Sequence, residues 1–238
     1  MNKSGYWQEL LEELALQRQC LDMMNAAWIG EYSSGGGVIH CGRGCHDCCS
    51  LAVNCTLTEA VALAGVLDQA QHAAVDAYAV RLRELAAAVA GPKEYLRMQR
   101  LEMGMCPLLD VDGACGAYAS RPLSCRSLLS TRESYWCGVD FSTLPAAEKE
   151  QYLASLDRTV NAFPLHYVAS SQETGREFES RQLAHMQELS GYSCYGCMPV
   201  LVSLVHSHDL AGTESRKQAE RLVEAAGFDN PLLISWLP

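Results

Sequence analysis

Five cysteines fall within fifteen consecutive residues, Cys41, Cys45, Cys48, Cys49 and Cys55, and no other feature limits the fold and chemistry of the chain as tightly. Thiols two or three residues apart let one loop offer converging sulfurs to a single centre, as zinc ribbons and iron–sulfur sites do. Of the twelve cysteines in 238 residues, four more (Cys106, Cys115, Cys125, Cys137) lie in an irregular middle stretch, and Cys194 and Cys197 form a CxxC pair. The start, MNKSGYWQEL, has no apolar run able to serve as an export signal. The thiols are therefore expected in a reducing cytoplasm, where clustered cysteines are metal ligands or redox groups rather than disulfides. The remaining thiol, Cys20, sits in a helical apolar pattern and is read as a core filler outside the site.

Cys48 and Cys49 are adjacent, and neighbouring side chains of an extended loop point to opposite sides. One of the pair is thus expected to serve a second centre. Four thiolates per centre is the rule, so the eleven cysteines other than Cys20 imply two or more cysteine-ligated centres. A tetrathiolate zinc or a four-thiolate [4Fe–4S] centre carries a net negative charge that must be balanced where it is buried. Arg43, Arg121, Arg126 and Arg132 lie within a few residues of cysteines. His40 and His46 flank the first cluster and rank above the other histidines as ligands or donors. His206 and His208, two apart, would face different sides of a helix.

The remaining chain reads as mainly α, one helical domain over residues 1–238 with two cysteine-rich metal-binding loops and little β structure. Its cysteine-cluster core runs from about 38 to 137 and its helical C-terminal part from about 145 to 238. Trp7, Leu14, Leu21 and Trp28, with Leu10, Leu11 and Met24 beside them, form one apolar stripe on a long N-terminal helix. Six glycines between Gly30 and Gly44 break that helix and open a loop whose N–H groups can approach an anionic centre. Thr56 and Glu59 form a capping box. A helix through Val75, Tyr78, Leu82, Leu85 and Val89 ends at Gly91-Pro92, and the next sets Met98, Leu101 and Met105 on one face. Asp112-Gly113 closes a short hairpin, and Arg121-Pro122 marks a turn or helix start. After Pro145, Leu153, Leu156, Val160, Phe163 and Tyr167 make one stripe, Phe178 to Leu189 is helical, and Thr213 caps a helix ending at Gly227.

Composition narrows the partners. With 18 Lys+Arg against 28 Asp+Glu, a net charge of −10 and no basic run, phosphate neutralisation cannot supply affinity, so no nucleic acid is expected. No window approaches the roughly 18 uninterrupted apolar residues of a membrane span, so no membrane association is expected. Neither a catalytic Ser-His-Asp order nor a nucleotide fingerprint is present.

The segment CGRGCHDCC (Cys41 to Cys49), followed by CPLLDVDGACGAYASRPLSCR (Cys106 to Arg126), resembles the YkgJ-type cysteine-cluster family of zinc- or iron-chelating domains. That pattern sets a CxxxCxxCC-like cluster, then Cys-Pro-Leu, then Gly-x-Cys-x-x-Tyr-x-x-Arg-Pro-x-x-Cys-Arg. Cys41, Cys45, Cys48, Cys49, Cys106, Cys115, Tyr118, Arg121, Pro122, Cys125 and Arg126 all fall in place, while Cys55, Cys137, Cys194 and Cys197 lie outside it. The resemblance implies a metal-binding module, with Tyr118, Arg121 and Arg126 beside the cofactor. It extends distantly to flagellin lysine N-methylase, which is associated with an iron–sulfur cluster. The leading reading is an iron–sulfur protein, with [4Fe–4S] clusters and a redox or cluster-based catalytic role as an oxidoreductase or radical-type transferase. Such a role calls for a redox partner or a protein substrate. The alternatives are a zinc-binding structural or interaction module, a metal store, and a cluster- and S-adenosylmethionine-dependent protein-modifying methylase. Cys41-x3-Cys45-x2-Cys48 has the spacing of radical S-adenosylmethionine enzymes, but their usual βα barrel is not supported by this helical pattern.

Overall fold

The computed structural model describes residues 3–237. The first helix, α1 (Lys3–Ser34), buries Tyr6, Leu10, Leu14, Gln17, Leu21 and Asn25 along one face. This is the expected stripe rotated slightly: Met24 is exposed, and Gly30 lies inside the helix, which breaks only at the Gly35–Gly37 turn. Cys20 is also exposed, its Sγ touching Met24 Sδ at 3.8 Å, so it is not the core filler expected.

A cysteine loop leads to β1 (Asn54–Thr56) and α2 (Leu57–Ala64). The capping box holds: Thr56 Oγ1 accepts from Glu59 N at 3.1 Å and Glu59 Oε2 from Thr56 N at 2.8 Å. Asp68 and Gln71 repeat the device at the start of α3 (Gln69–Ala86), which buries Val75, Ala79 and Leu82. Pro92 does not end a helix but opens α4 (Pro92–Met98) from the N1 position. A single π-helical turn follows over Gln99–Met103. The wider turn rotates the later side chains, so Met98 and Met103 are buried while Leu101 and Met105 face solvent, which overturns the single face expected for Met98, Leu101 and Met105.

The middle stretch carries two one-turn helices, α5 (Leu123–Arg126) and α6 (Tyr135–Gly138), and then α7 (Ala146–Ala154). The expected stripe from Leu153 to Tyr167 does not form a helix. Ser155 Oγ bonds to Tyr152 O and Asp157 Oδ1 accepts from Thr159 N, so residues 156–168 run irregularly. The long α8 (Ala169–Ser190) leads through a left-handed Gly191 into β2 (Cys194–Cys197) and α9 (Met198–His208). The next helix, α10 (Arg216–Ala225), is capped by Ser215, whose side chain accepts from Gln218 N. Thr213, the expected cap, bonds instead to Leu210 O and Tyr192.

The last strand, β3 (Ile234–Trp236), completes a small antiparallel sheet in the order β1-β2-β3, with Cys55 opposite Gly196 and Tyr195 opposite Ser235. A Cβ at Gly196 would lie 2.4 Å from Leu233 O, so the glycine of the CxxC pair is needed for the strands to meet. The main core gathers α2, α3 and α9 against this sheet, and a smaller cluster of Leu14, Leu21, Leu123 and Phe178 joins α1, α5 and α8. Mainly α architecture with cysteines in loops is what the residue pattern predicts. Among the described residues no helix is long and apolar enough to cross a membrane.

Candidate metal centre

Two loops build the site, and main-chain hydrogen bonds pin one to the other. Cys106 N donates to Cys49 O at 2.9 Å, and His40 N donates to Ser130 O at 2.9 Å. In the second loop Asp110 Oδ1 accepts from the N–H groups of Asp112 and Ala114, which closes the expected turn and bridges Leu109 to Cys115. Gly113 sits at φ +74°, and a Cβ there would stand 2.8 Å from His46 Nδ1. The turn and the first loop therefore meet through a position only glycine tolerates. Farther on, Pro122 caps α5 and aims Cys125, while Glu59 Oε1 accepts from Leu123 N at 2.6 Å.

The result is a cavity of about 300 Å³ with seven cysteines in its lining. Cys41, Cys45, Cys48 and Cys49 come from the first loop, and Cys106, Cys115 and Cys125 from the second. Cys48 and Cys49 both line this cavity, and Cys49 also borders a small neighbouring pocket with Cys106 and Cys197. Residues Asp47–Ser50 form a 3-10 turn rather than an extended loop, which brings both thiols to the same cavity and lets them share a hydrogen bond. Among the described residues no three His, Cys, Asp or Glu side chains converge tightly enough to hold a single metal ion. The donors are spread over a wall instead.

Burial and mutual repulsion govern the charge of this wall. Burial pushes the Cys106 thiol up to about 11 and Cys125 well above its ordinary range, with neighbouring cysteines adding to both. The bond to Cys49, followed by burial, raises Cys48, and burial with the Cys48 neighbour raises Cys45. Thiols in this setting yield their protons to a bound cation, so metal uptake is coupled to proton release.

Positive and donor groups face the same space. Arg121 lines the cavity with its guanidinium 4.1 Å above the Tyr118 ring, and its Nε is buried with no hydrogen-bond partner. It also draws the Cys48 and Cys125 thiols downward. Ser130 N donates to Cys41 Sγ at 3.1 Å. An orphaned guanidinium nitrogen, a main-chain donor to sulfur and a set of cavity thiols suit a negatively charged metal–thiolate centre. Arg126 also borders the cavity, but Asp22 Oδ2 (2.5 Å), Arg121 O and Ala119 O take its three nitrogens. Arg132 is bound to Ser155 O, away from the cavity, whereas Arg43 lines it.

The other four candidate ligands do not line this cavity, although Cys137 stands near Cys41, Cys45 and Cys48 and Cys197 shares a small neighbouring pocket with Cys49 and Cys106. Cys55, Cys194 and Cys197 are buried on the strands of the sheet. Cys137 is buried with its Sγ 3.3 Å from His166 Nε2, and His166 Nδ1 shares a 2.8 Å hydrogen bond with Tyr152. Neither His40 nor His46 lines the cavity; His46 Nδ1 lies 2.9 Å from Gly44 O. His206 stacks on His72 at 3.5 Å between ring centroids. The sequence pattern missed His166 and the buried Glu179. Their only sequence signal is a histidine in a run too irregular for a helix and an acid on the apolar side of α8.

Residues 40–152 match the model of the CxxCxxCC family, described as "Putative zinc- or iron-chelating domain". The resemblance read from Cys41 to Arg126 holds over that stretch, and it supports metal binding as the property of the region. No curated protein and no solved structure matches the chain.

Proposed function

We propose, from the premise that residues 40–152 are a CxxCxxCC zinc- or iron-chelating domain, that the protein is an iron–sulfur protein whose seven cavity thiols hold its cofactor. The observation that carries this reading is the spread of the donors: seven thiols around about 300 Å³, with no three side chains converging on one point. A structural zinc needs four sulfurs about 2.3 Å from one atom. A cluster takes its thiolates at separated irons. Seven thiols exceed the four that one cluster uses, which leaves room for a second centre or a larger one. Bound there, such a cluster supplies one-electron transfer or an open iron for a substrate atom. The chain's own contributions are the thiolates, the Arg121 guanidinium and Ser130 N–H as counter-charge, and the apolar side chains Ile29, Ile39, Leu108 and Met198 in the lining.

The test is analysis of protein purified without oxygen. Iron and acid-labile sulfide in comparable amounts, with a brown colour, are expected. Cys115→Ser and Cys125→Ser should lower both, while Cys20→Ser, altered at an exposed site, should change neither. Colourless protein with stoichiometric zinc and no sulfide would overturn the reading in favour of a zinc module.

A further inference from the structure

A second cavity, about 680 Å³, lies beside the thiol cavity and shares Val53, Cys125 and Leu128 with it as a common wall. Its volume is that of a small-molecule site. One side is aromatic: Trp136 and Phe141 pack on Tyr152 at 4.6 and 4.7 Å between ring centroids. The charged lining is unbalanced, with Arg100, Lys149 and Arg176 against Glu179. Arg100 is engaged by Val139 O. Among the described residues neither Lys149 nor Arg176 makes a side-chain hydrogen bond or salt bridge, and Arg176 stands one helical turn before Glu179 on the same face of α8.

Glu179 is the unexplained group. It is 6% exposed, its Oε1 is buried without a partner, and its Oε2 has only the Tyr195 hydroxyl at 3.4 Å. A buried polar atom left unpaired costs about 1–3 kcal/mol, so a ligand that pairs it gains that much. Burial, with Glu59 behind it, raises the carboxyl to about 8, which leaves it protonated at neutral pH and able to donate. A donor carboxyl with Arg176 acting on it and Lys149 in the same cavity lining selects an acceptor that carries negative charge.

We propose that this cavity binds a small aromatic carboxylate, its ring against Trp136, Phe141 and Tyr152 and its acid group between Arg176 and Glu179, with Lys149 adding positive field. The proposal concerns residues outside the thiol set and stands whether the neighbouring cavity takes iron or zinc.

The experiment is calorimetric titration of the full-length protein, as isolated, with 2-naphthoate and with the neutral 2-naphthalenemethanol. Single-site binding of the acid is expected, with the alcohol weaker by about tenfold or more. Arg176→Ala combined with Lys149→Ala, both on the surface side of the cavity, should weaken the acid by about tenfold and leave the alcohol unchanged. Glu179→Gln, which keeps a neutral donor, should bind the acid within about threefold of wild type, and Glu179→Ala should not. Absence of saturable binding, equal affinity for acid and alcohol, or an acid affinity unmoved by the double variant would each overturn the proposal. Circular dichroism of each variant identifies any that fail to fold, and the acid-to-alcohol comparison in wild type decides the matter without them.

Discussion

Arg121 and Arg126 bracket the same proline and serve different ends. Arg126 is buried, and Asp22 with two main-chain carbonyls takes its nitrogens, so it ties α1 to α5. Arg121 leaves a buried Nε unpaired on the thiol wall. Arg126→Lys is therefore expected to cost about 2–3 kcal/mol in urea unfolding, because an ammonium cannot reach three separate acceptors. Arg121→Lys should leave that midpoint nearly unchanged and instead alter metal retention and the potential or spectrum of the bound centre. His166 offers a pH test at the same scale. Burial, with Arg132 and Arg100 adding to it, lowers its pKa from 6.5 to about 4. The unfolded chain takes up a proton below about pH 6.5 while the folded one does not. The stabilisation is thus complete above pH 6.5 and is lost as pH falls toward 4. His166→Gln should flatten the wild-type decline in urea midpoint across that window. Equal slopes for both proteins would show that His166 titrates as freely folded as unfolded.

At the scale of elements, turns set the cysteines more than helices do. The Gly113 turn holds the second loop against His46, and Gly113→Ala would force both a strained φ and a contact at 2.8 Å. A loss of about 1–3 kcal/mol in thermal unfolding is expected, with lower metal content because the two loops part. An alanine variant with wild-type metal content would show that the loops are joined elsewhere. These local devices were legible in the sequence. Thr56 with Glu59, Asp112-Gly113 and Arg121-Pro122 each carry their own geometry, and each folds as read. What was not legible depended on neighbours. The π turn after Met98 moves Leu101 and Met105 into solvent, and polar side chains at Ser155 and Asp157 end a helix that apolar spacing alone would continue. The contact between the vicinal thiols likewise depends on the 3-10 turn over Asp47–Ser50, which the sequence spacing did not show. The family motif covers the seven cysteines that line the cavity; the five outside it are Cys20 on α1, Cys55, Cys194 and Cys197 on the sheet, and Cys137 beside His166.

For the molecule as a whole, the main core is made by α2, α3, α9 and the sheet, with Cys106 and Cys115 only packed against its edge. Most of that core lies away from the thiol cavity, with Leu108, Ala117 and Met198 common to both, so the fold is expected to need a bound metal less than small zinc modules that are unfolded without their ion. Removal of metal by an anaerobic chelator is expected to leave the far-ultraviolet circular dichroism intact. The thermal midpoint should fall by the binding term alone. Collapse of the helical signal would mean that the centre is structural. The buried Glu59 carries this further. One oxygen closes the cap of α2, just after Cys55, and the other holds Leu123, two residues before Cys125. The spacing between the two ligand loops is therefore fixed by a carboxylate and two peptide groups that have no part in coordination. The frame around the cavity is thus built from protein contacts alone, and the exposed Cys41 gives that frame an edge open to solvent.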